Sequence, residues 1–268
     1  MSMKKVALIG CGALGSIAAR GIAEKLPGLC RVTGVMDLSR EAAEKLASQV
    51  HARACASLQE LLADDPEIVI EAAGIGVVRA MGAEVLRSGR DLLMLSIGAM
   101  ADAALKAELE QAAVESGRKI YLVNGALGGL DVMQTMSLMG PTKTAIESAK
   151  APRSLNGAPG LQGKELPEDR ETVAFTGNVT DAINGFPKNV NVAVAACIAS
   201  QCPDITVSIK SVPGQRENCH CVHLENALVT ADISIRSRPD PENPRSSTSA
   251  AWSVVALLKN LTSPVFIY

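Results

Sequence analysis

The chain has 268 residues, a formal net charge of −2, 47% hydrophobic residues and only one Trp, two Tyr and three Phe. That length holds one large domain or two of ordinary size with a buried core. The near-neutral charge lacks a basic stripe and aromatics are scarce, so neither nucleic acid nor an anionic membrane is indicated as a partner. No apolar run reaches the ~18 residues of a membrane span.

The opening stretch MSMKKVALIG shows no leader pattern and is expected to run straight into a strand. Seven cysteines are scattered along the chain, several in apolar segments such as those of Cys30 and Cys197. An odd, dispersed set fits reduced thiols in a cytoplasmic protein rather than a disulfide framework. None reads as catalytic.

The stretch KKVALIGCGALGSIAARGIAE is a β-branched run, then Gly10-x-Gly12-x-x-Gly15, then a helical pattern. In this setting Gly10 makes the tight turn, Gly12 admits a pyrophosphate to the backbone, and Gly15 lets helix and strand pack closely. The helix start, with Ala13 and Leu14, offers free N–H groups and partial positive charge to phosphate. A second strand, RVTGVMD, ends in Asp37, at the distance expected of an acid that accepts hydrogen bonds from an adenosine ribose. A carboxylate there repels a 2′-phosphate and argues for NAD. Ser39 and Arg40 follow directly and are able to turn toward a phosphate, which leaves NADP open. The plainer alternative is that Asp37 and Ser39 cap the next helix.

Alternation then continues. SREAAEKLASQV reads as helix, ARACAS as strand, LQELLADD as helix, PEIVIEAAG as strand and VVRAMGAEVLRSG as helix. RDLLMLSIGAM reads as strand, DAALKAELEQAAVESG as helix and KIYLVNGALGG as strand. Such spacing implies parallel strands with helices on both faces. The strand ends EAAG and SIGA are small, so Ala73 and Ser96 are candidate cofactor contacts, since ligands lie beyond the carboxyl ends of such strands. Simple helix–sheet packing explains any one of these small residues equally well.

From about residue 130 the regularity stops. Asp131 reads either as orienting a catalytic group or, in slight preference, as the cap of VMQTMSLM, ahead of a strand and a long polar loop over MGPTKTAIESAKAPRSLNGAPGLQGKELPEDR. ETVAFTG reads as strand, NVTDAINGFP and NVNVAVAACIASQC as helices, and DITVSIKSVPG, NCHCVHLENA and LVTADISIRSRP as three strands able to form a meander. SSTSAAWSVVALLKNL closes the chain as an amphipathic helix capped by Ser246 or Ser247. The expected architecture is therefore α/β. A Rossmann, doubly wound parallel sheet spans 1–128, and a second α+β substrate and dimerisation domain spans 129–245. Helix 246–268 is able to pack back onto the first domain.

NCHCVHLE holds two of the chain's three histidines. In a strand, His220 and Val222 face one way and Cys219, Cys221 and His223 the other. A zinc site needs about four ligands from separate segments, and there is no CxxC or second Cys/His cluster, so no metal is expected. A buried structural histidine is the competing reading, stronger for His223 than for His220. His51 is expected at the surface.

The glycine fingerprint, SIGAM (96–100), NGALGGLDVM (124–133), FPKNVNVA (186–193), ENCH (217–220) and NPRSS (243–247) occur in the order seen in L-aspartate dehydrogenases, which the chain resembles over nearly its whole length. Two stretches differ: HLENALVT stands where the family shows Gly-Phe-Gly, and Arg245-Ser246-Ser247 where it shows Lys-Thr-Ser. The resemblance implies NAD- or NADP-dependent oxidation of L-aspartate to iminoaspartate for pyridine nucleotide biosynthesis, by a homodimer. It places the catalytic histidine at His220 and cofactor contacts at Ala126 and Asn191. An imidazole suits the chemistry, because a base must free the substrate amine before hydride leaves Cα. Lys188, Arg245, Ser247 and Thr248 are candidates for the substrate carboxylates, although Lys188 reads equally as a solvated cation near a helix start. Two further readings stand beside this one: a related Rossmann dehydrogenase or reductase of another amino acid or imine, and a nucleotide-binding sensor without turnover.

Overall fold

In a computed structural model of the protein, residues 3–187, 190–238 and 248–267 are described. Two compact units emerge, one of residues up to Val123 together with the chain from Thr248, the other spanning Asn124–Ser247.

The first unit alternates β1 (Lys4–Ile9), α1 (Ala13–Lys25), β2 (Cys30–Met36), α2 (Arg40–Val50), β3 (Arg53–Cys55), α3 (Leu58–Leu62), β4 (Ile68–Glu71), α4 (Ile75–Arg87), β5 (Asp91–Met94), α5 (Ala103–Ser116) and β6 (Ile120–Leu122). Its six strands pair in parallel in the order β3-β2-β1-β4-β5-β6. The order reverses between β1 and β4, which opens a crevice beyond their carboxyl ends. β1 and β4 are almost wholly buried, as expected of strands covered on both faces. The segment read as one strand through SIGAM stops at Met94, and Ile97–Ala101 forms a 3₁₀ turn instead. The N–H and hydroxyl of Ser96 turn to the Glu71 carboxylate instead of a neighbouring strand, so the ladder ends there.

The second unit contains α6 (Leu130–Met139), β7 (Lys143–Lys150), α7 (Pro152–Leu155), β8 (Thr172–Gly177), α8 (Val179–Gly185), α9 (Val190–Ser200), β9 (Thr206–Ser211), β10 (Asn218–Glu225) and β11 (Thr230–Ser237). Its sheet runs β11-β10-β7-β9-β8. β10 and β11 form a hairpin, but the expected three-strand meander is not found. β7 lies between β10 and β9, antiparallel to the first and parallel to the second. β7 buries Thr144, Ile146 and Ser148 in strict alternation and therefore suits a central strand. α9 packs on β7, and α6 on α9. Asp131 does not cap α6: the N-cap is Gly129 at φ +72°, and Asp131 sits in the first turn, where its charge faces the positive helix end.

The closing helix α10 (Thr248–Thr262) belongs to the first unit, where it packs on α1. Ala251, Val254, Val255 and Leu258 join Ala18, Ala19 and Ile22 in the core over β1 and β2. The cap residues expected for it, Ser246 and Ser247, lie outside the described residues. Among the described residues no helix is long and apolar enough to cross a membrane.

Candidate active site

In the first unit the turn after β1 is built by close backbone approach. Gly10 adopts φ +103°, and a Cβ there would stand 2.6 Å from the carbonyl of Ala72. A Cβ at Gly15 would stand 1.9 Å from the Gly10 oxygen. A Cβ at Gly12 would meet nothing within 4 Å, so the backbone there faces open space. Gly12 caps α1 without any side-chain hydrogen bond, leaving the first-turn N–H groups around Ala13 and Leu14 without a side-chain acceptor.

Asp37 ties this turn to the end of β2. Its Oδ2 accepts from the Cys11 N–H at 2.6 Å and its Oδ1 from the Ser39 N–H at 2.8 Å. Ser39 itself caps α2 through the Ala42 N–H. Gly10, Gly12, Asp37 and Ala73 share the wall of one cavity of about 550 Å³, with Leu38, Ser57, Val77 and Met81 among its other lining residues. Arg40 is exposed and pairs with Glu44 at 2.8 Å along its own helix. An open glycine turn, an uncapped helix start and a carboxylate on the wall of a largely apolar cavity fit the adenosine and pyrophosphate of a dinucleotide.

Glu71, missed in the sequence, holds the neighbouring strand ends together. It is fully buried at the end of β4. Its Oε1 accepts from the N–H groups of Ala73 (2.8 Å) and Gly74 (2.7 Å) and from the Ser96 hydroxyl (2.9 Å). Its Oε2 accepts from the Ser96 N–H at 3.1 Å. Ser96 is thus buried and committed to Glu71, while Ala73 is exposed on the cavity wall. The available signal was a lone acid closing the otherwise apolar strand IVIE.

In the second unit, β10 alternates as a half-buried strand should. His220, Val222 and Leu224 point inward, and His223 and Glu225 are exposed. His220 Nδ1 lies 2.8 Å from the Ser148 hydroxyl, directly across the β7–β10 ladder. Burial, and secondarily the positive charge of Lys150, push the His220 pKa down to about 4. The imidazole is therefore neutral at physiological pH and able to accept a proton. With Nδ1 protonated and donating to Ser148, Nε2 keeps its lone pair. Lys150 on β7, also unflagged by the sequence, is half-buried, and burial holds its ammonium down to about 8.

His223 is not the buried histidine expected. It lies on the outward face, paired with Asp232 at 2.7 Å, because its odd position puts it out of phase with Val222 and Leu224. His51 is exposed at the left-handed C-cap of α2. Burial, and next the charge of Asp37, raise the Cys11 thiol to about 12, far from a reactive thiolate. Among the described residues no group of three or more His, Cys, Asp or Glu is placed to hold a metal ion.

Ala126 sits half-buried in the loop before α6, and Asn191 is exposed in the first turn of α9, both in the unit that carries His220. Thr248 opens α10 in the first unit. Lys188, Arg245 and Ser247 lie outside the described residues.

Residues 131–261 match the model for "Aspartate dehydrogenase, C-terminal", and residues 10–123 that for "Homoserine dehydrogenase, NAD binding domain". The chain is 34% identical over 266 residues to an L-aspartate dehydrogenase of Methanococcus maripaludis, covering 99% of each chain. It is 33% identical over 265 residues to one of Methanocaldococcus jannaschii, covering 98% of each. Among solved structures, the aspartate dehydrogenase of Thermotoga maritima superposes with a TM-score of 0.78 at 22% identity, over all of both chains. GenD2 of gentamicin A biosynthesis, solved in complex with NAD, superposes at 0.60 with 13% identity, over 98% of this chain and 87% of its own. These two likenesses speak to the fold.

Proposed function

This chain belongs to the L-aspartate dehydrogenase family, and from that premise we propose that it oxidises L-aspartate to iminoaspartate with NAD, using His220 as the base. The observation that carries the reading is the neutral, buried imidazole of His220 oriented by Ser148, in a chain that matches curated L-aspartate dehydrogenases from end to end.

Gly10, Gly12 and the first turn of α1 would hold the pyrophosphate, Asp37 the adenosine ribose, and Ala126 and Asn191 the nicotinamide end. NAD supplies the hydride acceptor for the substrate Cα. The protein's own part is to free the amine and align it. Nε2 of His220 takes a proton from the substrate ammonium, so that the nitrogen lone pair forms the C=N bond as the Cα–H bond breaks. The imidazolium that results later releases its proton to solvent. Asp37 on the cavity wall, with Arg40 held by Glu44, supports NAD over NADP. Lys188, Arg245, Ser247 and Thr248 stay in this reading as carboxylate-binding candidates. A homodimer, a cytoplasmic location and a role in pyridine nucleotide biosynthesis belong to it through the family.

The test is a panel of amino acids with NAD and with NADP, following absorbance of the reduced cofactor, with His220→Ala alongside. Aspartate should be the preferred substrate, and His220→Ala should lose about 10²- to 10⁴-fold in kcat. Preference for a monocarboxylic amino acid would overturn the substrate. Near-parental turnover by His220→Ala would overturn the base.

A further inference from the structure

The inward face of the second unit's sheet changes character along its length. One row across β9, β7, β10 and β11 is Val207, Ile146, Val222 and Ile233, all apolar. The next is Ile209, Ser148, His220 and Ile235. In the third, Ser211 pairs with Lys150 and Asn218 with Ser237, and one step past the Cys219–Ala149 pair brings Asn218 level with Lys150. That row is wholly polar and rich in hydrogen-bond donors. The Ser211 hydroxyl in it is fully buried and makes no hydrogen bond. A buried hydroxyl left so is destabilising, and a ligand oxygen would relieve it.

We propose that Lys150 seats a carboxylate of the substrate beside His220, with Ser211 and Asn218 as its hydrogen-bonding neighbours. The inference rests on the reading of the chain as an aspartate dehydrogenase and adds to it the residue that selects an acidic substrate. Diagonal neighbours on a sheet face lie about 7–8 Å apart, within reach of a lysine stem and a small dicarboxylate. The ammonium and the hydroxyl both donate, as a carboxylate requires.

The electrostatics agree. Burial disfavours the charge on Lys150, and an anion beside it restores that charge. The same anion offsets the Lys150 field that disfavours protonation of His220. Substrate binding thereby makes the base stronger at the moment it is needed. The other titratable side chains of these strands, Lys143, Glu147, Lys210, Cys219, Cys221, His223, Glu225, Asp232 and Arg236, alternate onto the opposite face. α9, packed on β7, carries Cys197 as its one titratable side chain.

The experiment uses the full chain as wild type, Lys150→Met and Lys150→Arg. Aspartate KM and kcat are measured, and calorimetry follows binding of NAD and then of succinate, a dicarboxylate without an amine. Lys150→Met should raise both the aspartate KM and the succinate Kd about 50-fold, with kcat changed less and NAD affinity kept. Lys150→Arg should recover most of the binding. At pH 8.5, in buffers of differing ionisation enthalpy, wild type should take up most of a proton with succinate and Lys150→Arg none. Succinate affinity within threefold of wild type in Lys150→Met, parallel loss of NAD binding, or equal proton uptake by Lys150→Arg overturns the proposal. Absence of aspartate turnover in wild type would sink the functional reading, while the succinate measurements still judge Lys150.

Discussion

Ser148 and His220 face each other across adjacent antiparallel strands, hydroxyl to Nδ1 at 2.8 Å, both buried. This contact holds the imidazole ring through Nδ1. Ser148→Ala removes it while keeping the imidazole. The expected result is a fall in kcat of about 10- to 100-fold with little change in KM, as for a misaligned reacting group. Steady-state kinetics on aspartate check this, and a KM effect without a kcat effect would assign Ser148 to substrate binding instead.

Burial of His220 also ties folding to pH. Its folded pKa of about 4 lies below the ordinary imidazole value of 6.5, so the unfolded chain binds more protons between those values. The contribution is fully present above pH 6.5 and is lost as pH falls toward 4. The loss amounts to about 3 kcal/mol at most. Urea unfolding of wild type and His220→Gln across pH 4–7 should show the two curves diverging below 6.5, with wild type losing more. Parallel curves would mean the imidazole is solvated.

Much of the first unit was legible because its signals are local. Glycine spacing, period-2 strands and 3.6-period helices each occupy a few consecutive residues, and the strand–helix alternation then dictates a parallel sheet. The second unit's sheet was less so. That β7 inserts between β9 and β10 depends on pairings some 60 to 80 positions apart. Phase along β10 separated His220 from the cysteines in the sequence itself, yet the same phase rule, carried through, puts His223 outside. Ser148 and Lys150 share the inward phase of β7 with Ile146, a pattern visible in ESAK but uninterpretable until the partner strand is known.

Glu71 supports the cofactor cavity from below. Its two oxygens accept from four donors on two loops. Glu71→Gln keeps the shape but turns one acceptor into a donor, set against backbone N–H groups that the carboxylate now satisfies. The cost should be about 2–4 kcal/mol, or a fall of roughly 5–15 °C in Tm. NADH affinity, followed by fluorescence titration, should weaken as the Ala73–Gly74 turn loosens. An unchanged melting curve would show that water replaces the lost bonds.

Asp37 provides the sharpest test of cofactor choice, because its structural and recognition roles can be separated. It receives the Cys11 and Ser39 N–H groups and lines the cavity. Asp37→Asn retains an acceptor for one of those N–H groups, sets an amide nitrogen against the other, and removes the charge that repels a 2′-phosphate. Arg40, exposed and held by a surface pair with Glu44, is then able to swing to the phosphate, since such pairs are worth at most about 1 kcal/mol. The ratio of kcat/KM for NADP to that for NAD should therefore rise about tenfold or more in Asp37→Asn, and further loss of the Glu44 restraint in Asp37→Asn/Glu44→Ala should raise it again. If the ratio stays put in both variants, Asp37 serves the turn alone, and cofactor choice is made elsewhere on the cavity wall.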